Sequence, residues 1–532
     1  MEFDPLKGAE NDITTNLKIY RDLREQFGNK LKDAYYNAEL AAWNFYTDSN
    51  QENLDRNTQA QEEYNNLYND KDLYKRLKEI KDTGLNDKHL DKQVNDLVKA
   101  FYNQIESGEE LKALRDKEND IANKYNSHVM KIDDKPVSKA EIRKILETET
   151  DSEIRRKAYE ADIKAGDVIA GDLVELVKMR NQYAKSKGYD NYFEYMIKES
   201  YDISAGELDK LIDGVYNKAG ATCKKIHKKR KEEISAAFGL QEDKLQDWHY
   251  GLLTKADPEG RVNTYLETKE QVVDIAKRVY SQMGYDVDNM GITLDLFPRE
   301  NKNTHGFAFC IKPGKDARIL ANLTNNARSL DTILHELGHC VYDIGIDTNL
   351  TFIEQDCSSS VMTEAIAMMM GDLPKTESIL SDIVPPDVLT KFKAELKEDD
   401  ARFVTRSLQI INFEREMYKN PDQDLKKLWG KMKQKFLFRG ENTQINTEWA
   451  TSPHYLSHPG YYQNYFRAAL LKAQIYNAMK SELGEISKNK KTAEFLNEKL
   501  FKYGASVWEE DLIVDMTGKT LSEDDFCKRI TG

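Results

Sequence analysis

The sequence predicts a mainly α-helical protein with one small sheet, and three observations carry that expectation. Turn formers are scarce: 27 Gly and 11 Pro stand among 532 residues, about 7 % against the roughly 12 % usual in proteins. Charged residues make up 32 % of the chain, in Lys/Glu/Asp mixtures that suit long solvated helix faces. From about residue 10 to 240, apolar residues recur at spacings of three and four, as in Leu173, Val174, Leu176, Val177, Tyr183 and Ala184.

The apolar content is low, with 39 % hydrophobic residues and a mean hydropathy of −0.72. Even so, 28 Tyr, 19 Phe and 5 Trp supply enough core area to argue against wholesale disorder. A net charge of −14 speaks against nucleic acid or an anionic membrane as partner. The basic run Lys224, Lys225, His227, Lys228, Lys229, Arg230, Lys231 is followed by Glu232 and Glu233, and reads as a solvated helix face. No stretch approaches the ~18 apolar residues of a membrane span. The first residues, MEFDPLKGAENDITT, lack the apolar centre of a signal peptide. Five scattered cysteines (223, 310, 340, 357, 527) match neither a disulfide framework nor a zinc finger.

Within the helical text, breaks are expected at Gly108, Gly188 and Gly206. Near Gly291 the pattern changes. Ile292, Leu294 and Leu296 alternate, and HGFAFCI (305–311) and RILANL (318–323) flank Pro313-Gly314, a hairpin signal. Two helices follow, at roughly 329–344 and 358–370, and helical text resumes to the end. With no repeat or Pro-rich linker, the expectation is a single helical domain over 1–532. Its chemical core lies at about 291–372, with a further Tyr/His segment at 452–466.

The hairpin leads into His335-Glu336-Leu337-Gly338-His339. With nine His in 532 residues, a chance His-Glu-x-x-His is expected only about 0.01–0.02 times. Ser329 or Asp331 can cap the helix, and Leu330, Ile333, Leu334 and Leu337 form its apolar stripe. His335 and His339 then stand one turn apart on one face, placed to bind one Zn²⁺, with Glu336 as the base that activates water. A catalytic zinc takes a third protein ligand. Glu364, in SSSVMTEAIAMMMG, lies 29 residues after His335 on a helix that Ser358, Ser359 or Ser360 can cap and Gly371 can end. Ile366, Met368 and Met369 mark its buried face, and the Met cluster reads as core packing.

The oxyanion formed during attack on a carbonyl needs a donor. The segment SPHYLSHPGYYQNYF (452–466) concentrates His454, His458, Tyr461, Tyr462 and Tyr465. It is either that donor set or an amphipathic aromatic patch.

These residues resemble the angiotensin-converting-enzyme family of zinc peptidyl-dipeptidases and, more distantly, thimet-oligopeptidase-type peptidases. The likeness extends to AAWNFYTDSN (41–50), RNQYAKSKGYDNYFEY (180–195), GKDARI (314–319) and the aromatic segment. It implies a helical ellipsoid of two halves around a deep cleft, cutting peptides. It makes His335, His339 and Glu364 the zinc ligands and Glu336 the general base and acid. Tyr465 becomes the transition-state donor, Tyr462 the contact to the substrate carboxylate, and His454 the active-site His, with His458 its competitor. His305, Gly306 and Ala308 would hold substrate as an added strand.

Departures from the family pattern bear on specificity. Asn464, Glu194 and Lys433 occupy the positions of chloride-binding arginines, so chloride activation is doubtful. Ser452 replaces the Lys that grips the substrate C-terminus, and Met368 the acid that orients the first His. Thr304 and Asn322 replace a disulfide. The leading expectation is release of C-terminal dipeptides; the alternative is internal cleavage of short peptides. The intact Glu336 speaks against an inactive zinc- or peptide-binding relative. Converting-enzyme relatives are usually exported, whereas the cysteines and bare N-terminus point to the cytoplasm or a trimmed chain.

Overall fold

A computed structural model describes residues 12–105, 108–252, 258–303, 306–440 and 443–532. The chain is mainly helical, with 72 % helix and 4 % strand, as the scarcity of turn formers implies. It divides into two compact units. One takes the chain up to Leu111, Val262–Pro385 and Gln474–Leu521; the other takes Lys112–Arg261, Pro386–Ala473 and Ser522–Gly532.

The first unit starts with a 35-residue helix, Ile13–Thr47, whose cap Asp12 accepts from the Thr15 N–H at 3.0 Å. Its early turns bury Ile19, Leu23 and Phe27 against Leu77, Val94 and Phe101 of the helices Lys71–Thr83 and Lys88–Ile105. Its last turns carry Ala42 and Trp43 onto Phe309, Ile311 and Leu320 of a sheet. The hydrophobic effect thus ties one long helix to two separate cores.

That sheet has three strands, Ile292–Asp295, Phe307–Lys312 and Asp316–Leu320, with the last in the middle. The expected hairpin is its antiparallel half, pairing Phe307 with Leu320 and Phe309 with Arg318. The alternating Ile292/Leu294 run adds a parallel edge, Leu294 opposite Ile319, which hairpin signals alone do not predict. The turn requires Gly314. Its φ is +70°, and a methyl there would lie 2.8 Å from the Ile346 carbonyl.

In the second unit, helices Ser152–Ser186 and Tyr192–Glu199 are separated at Gly188 (φ +87°) as expected. Gly206, by contrast, lies inside the next helix, Ala205–Phe238, and breaks nothing. Ser204 starts that helix through a capping box with Glu207, so side-chain capping sets the boundary where glycine content suggests otherwise. The basic run sits on this helix, its charges met by Glu398, Glu232, Glu233 and Glu242. His227 alone turns inward, to Thr405 Oγ1 at 2.8 Å, and burial lowers its pKa to about 4. All five cysteines are free thiols. Among the described residues no helix is long and apolar enough to cross a membrane.

Candidate active site

The His-Glu-x-x-His motif lies on the helix Ala327–Gly345. Its cap is Asn326, which accepts from the Ser329 N–H at 2.8 Å, and neither Ser329 nor Asp331. Asn accepts as well as Ser at this position, and it precedes them by a turn. Leu330, Ile333, Leu334 and Leu337 are fully buried, as their spacing requires. Anchored by that stripe, the half-exposed face carries His335 and His339 with ring centroids 5.0 Å apart.

The return helix, Ser360–Gly371, is capped by Ser359, which accepts from the Met362 N–H at 3.0 Å. Two glycines let it approach the motif helix at backbone distance. A methyl on Gly338 would lie 2.8 Å from Ala367 Cα, and one on Gly371 would lie 2.4 Å from Asp331 Oδ1. The crossing buries Ile366, Met369 and Met370 while Met368 stays half-exposed, so the buried face is one residue off the expected set. It also brings Glu364 to both histidines. Its Oε1 is 3.7 Å from His335 Nε2 and its Oε2 3.6 Å from His339 Nε2.

One ligand atom from each of these three residues lies within 4.8 Å of the others. Tetrahedral coordination at usual Zn–N and Zn–O lengths needs separations of about 3.3 Å. Two imidazoles, one carboxylate and partial exposure therefore fit a catalytic zinc with its fourth position open. His339 Nδ1 is 2.8 Å from Thr363 Oγ1. That contact sets which ring nitrogen faces Glu364, and Thr363, one residue before Glu364, is a partner that the reading of the motif does not single out.

Glu336 projects from the same helix toward the sheet. Burial raises its carboxyl pKa to about 7, with Glu364 pushing the same way and His339 and the Ala308 N–H opposing. A methyl on Gly306 would lie 3.5 Å from Glu336 Oε1. Gly306 and Ala308 thus flank the base. His305 and Thr304 lie outside the described residues. Asn322, the other residue standing where the family has a disulfide, donates to the Asn303 carbonyl at 2.8 Å.

One turn past His339, Asp343 lies half-buried beside Cys310 and Asp356. Burial raises its pKa to about 7, His339 opposing and Asp356 adding. Its i+4 spacing from His339 was the available sequence signal.

The second unit holds the aromatic segment, on the short helix Pro453–Ser457 and the start of Tyr462–Leu483. His454 lies 5.0 Å from the Tyr462 ring and 5.9 Å from the Tyr465 ring, with those two 5.5 Å apart. His458 instead packs on Tyr461 at 6.1 Å. The structure therefore groups His454, not its competitor, with the two tyrosines. Burial lowers the His454 pKa and raises that of Tyr462.

Distant buried charges hold this segment. Arg180 donates to the Tyr455 carbonyl at 2.7 Å, to the Leu456 carbonyl, and to Glu118 at 2.7 Å. Glu414 accepts from the Gly460 N–H at 2.8 Å, and burial raises its pKa to about 8. Of the positions matched to chloride-binding arginines, Lys433 is buried between Asp247 (2.6 Å) and Glu448 (2.7 Å), and Asn464 accepts from Gln463.

Compared with known families, the chain matches the profile of peptidase family M3 over residues 145–532 and that of angiotensin-converting enzyme over 16–246. The second match ends upstream of the motif, so the converting-enzyme likeness read at 305–364 lies outside it. No curated protein matches the chain. The M3 profile spans well over half of the residues, including the motif, the return helix and the aromatic segment. The chain belongs to peptidase family M3 and is a zinc-dependent metallopeptidase acting on peptides.

Proposed function

We propose that this peptidase hydrolyses short, unstructured peptides and releases C-terminal dipeptides. The observation that supports it most is the convergence of His335, His339 and Glu364 with Glu336 alongside. Zinc held by those three side chains would supply Lewis-acid polarisation of the scissile carbonyl and make water more acidic. Glu336 takes a proton from the attacking water as its oxygen bonds to the carbonyl carbon. As the C–N bond breaks, Glu336 returns that proton to the departing amine. Thr363 holds the His339 ring in orientation throughout. The resemblance assigns the developing oxyanion to Tyr465, with His454 beside it, and the substrate carboxylate to Tyr462.

Internal cleavage is the second reading, favoured by Ser452 and Asn464 where the dipeptidase pattern expects cations. A mass-spectrometric digest of mixed peptides of roughly 5–12 residues, with and without chelator, separates the two. Chelator-sensitive loss of two C-terminal residues is the expected result. Chelator-sensitive cuts at internal bonds would replace it with the oligopeptidase reading.

A further inference from the structure

Among the described residues of the chemical core, 291–372, one large apolar side chain stays exposed. It is Phe307, at 37 %, and it opens the strand Phe307–Lys312 at the edge of the three-stranded sheet. Burial rises along that strand: Gly306 and Phe307 are exposed, Ala308 is half-buried, and Phe309 and Ile311 belong to the core. The hydrophobic effect that closes the rest of the strand leaves this ring in water.

Its neighbours fix its direction. A methyl on Gly306 would lie 3.5 Å from Glu336 Oε1 and 3.6 Å from Thr332 Cγ2, so position 306 faces the motif helix. Strand alternation turns Phe307 to the opposite face, where its ring lies 5.3 Å from Tyr46 and 6.2 Å from Phe309. Tyr46 in turn meets Phe45 at 5.6 Å and Phe309 at 5.8 Å. The Asn303 N–H donates to the Tyr46 carbonyl at 2.9 Å, which ties the approach to the strand to the first helix. Phe307 thus tops an aromatic ledge supported from behind, and every residue of it lies in the unit that carries the zinc motif. Scattered exposed apolar residues are ordinary; this one is backed by further rings and adjoins the base.

The peptide bond under attack must reach a water within about 3 Å of Glu336. Phe307 stands between Gly306 and Ala308, the two residues that flank Glu336. An extended peptide delivered to that base therefore passes the start of the strand, and its alternate side chains point to the face that carries the ledge.

We propose that Phe307, backed by Tyr46, determines specificity by binding a bulky apolar side chain of the peptide within two residues of the scissile bond. This rests on the peptidase reading above and adds the class of side chain that the site selects.

The experiment measures chelator-sensitive kcat/KM on hexapeptide pairs carrying Phe or Ser at each position within two residues of the cut bond. In wild type one position should favour Phe roughly ten- to a hundred-fold, the discrimination an apolar pocket gives. Phe307→Ser should erase most of that ratio and Phe307→Leu should keep part of it, while the ratios at other positions hold. Thermal melts of both variants check that the fold is intact. A ratio near one at every position in wild type, or a preference that Phe307→Ser leaves intact, would overturn the proposal and spare the peptidase reading. If no peptide is cleaved, the peptidase reading fails first, and calorimetry of the Phe and Ser peptides then decides. Tighter binding of a Phe peptide that Phe307→Ser abolishes supports the ledge; equal binding refutes it.

Discussion

The two chemical regions of this protein are built by opposite means. The motif helix and its return helix rest on local rules: an i, i+4 spacing, two side-chain caps, and glycines where the helices cross. The segment bearing His454, Tyr462 and Tyr465 has only short helices before Tyr462, and buried polar groups distant in sequence hold it in place. Arg180 is 275 residues from Tyr455, and Glu414 is 46 from Gly460. Short-range scaffolding makes the first region tolerant of change elsewhere. Buried titratable tethers make the second sensitive to pH and to the loss of one partner.

Substitutions of the reacting groups test this contrast most strongly. Glu336→Gln should lower kcat by about 10²–10⁴ while the protein still binds zinc, as metal analysis after dialysis would show. Retained turnover would remove Glu336 from the chemistry. Tyr465→Phe, in the other region, should lower kcat by about 10²–10³ with little change in KM. A raised KM at constant kcat would make it a binding group.

The scaffolds should give smaller effects, each of a different kind. Gly338→Ala places a methyl 2.8 Å from Ala367 Cα, so the helices must part and Glu364 must withdraw from the histidines. Overpacking of this kind costs about 1–3 kcal/mol, visible as weaker zinc affinity in a competition titration. Zinc affinity equal to wild type would mean that the crossing does not position the ligand.

Glu414→Gln should act through pH. The folded-state pKa of Glu414 is raised from 4.5 to about 8 by burial, so between these values the folded state holds more protons than the unfolded state. Stability therefore falls as pH rises through that window, and Glu414→Gln should flatten the fall. Denaturant melts at pH 5 and pH 8 measure it; an unchanged slope in the variant would refute the tether's role.

Where the reading depended on short-range pattern, it was close. The two site helices run 327–345 and 360–371 against expected spans of 329–344 and 358–370, because stripe, cap and glycine all act within a few residues. Ser359 is one of the three serines the sequence offers as caps, whereas Asn326 lies outside the apolar stripe that marks its helix. Gly206 misled because a glycine weakens a helix without ending it, whereas the Ser204–Glu207 box defines a start. Arg180 opens a segment whose family likeness was noted, yet nothing local in RNQYAKS says that this Arg reaches Tyr455.

By itself, the sequence determined the helical class, the metallopeptidase chemistry and the His-His-Glu group that converges in the fold, because metal-binding side chains at one-turn spacing carry their meaning within a few residues. Tertiary structure alone decided two further matters. It joined the lone strand in parallel to the hairpin and grouped His454 rather than His458 with the tyrosines. Each depends on contacts between distant residues, made when burial forces polar groups to find partners wherever the fold supplies them.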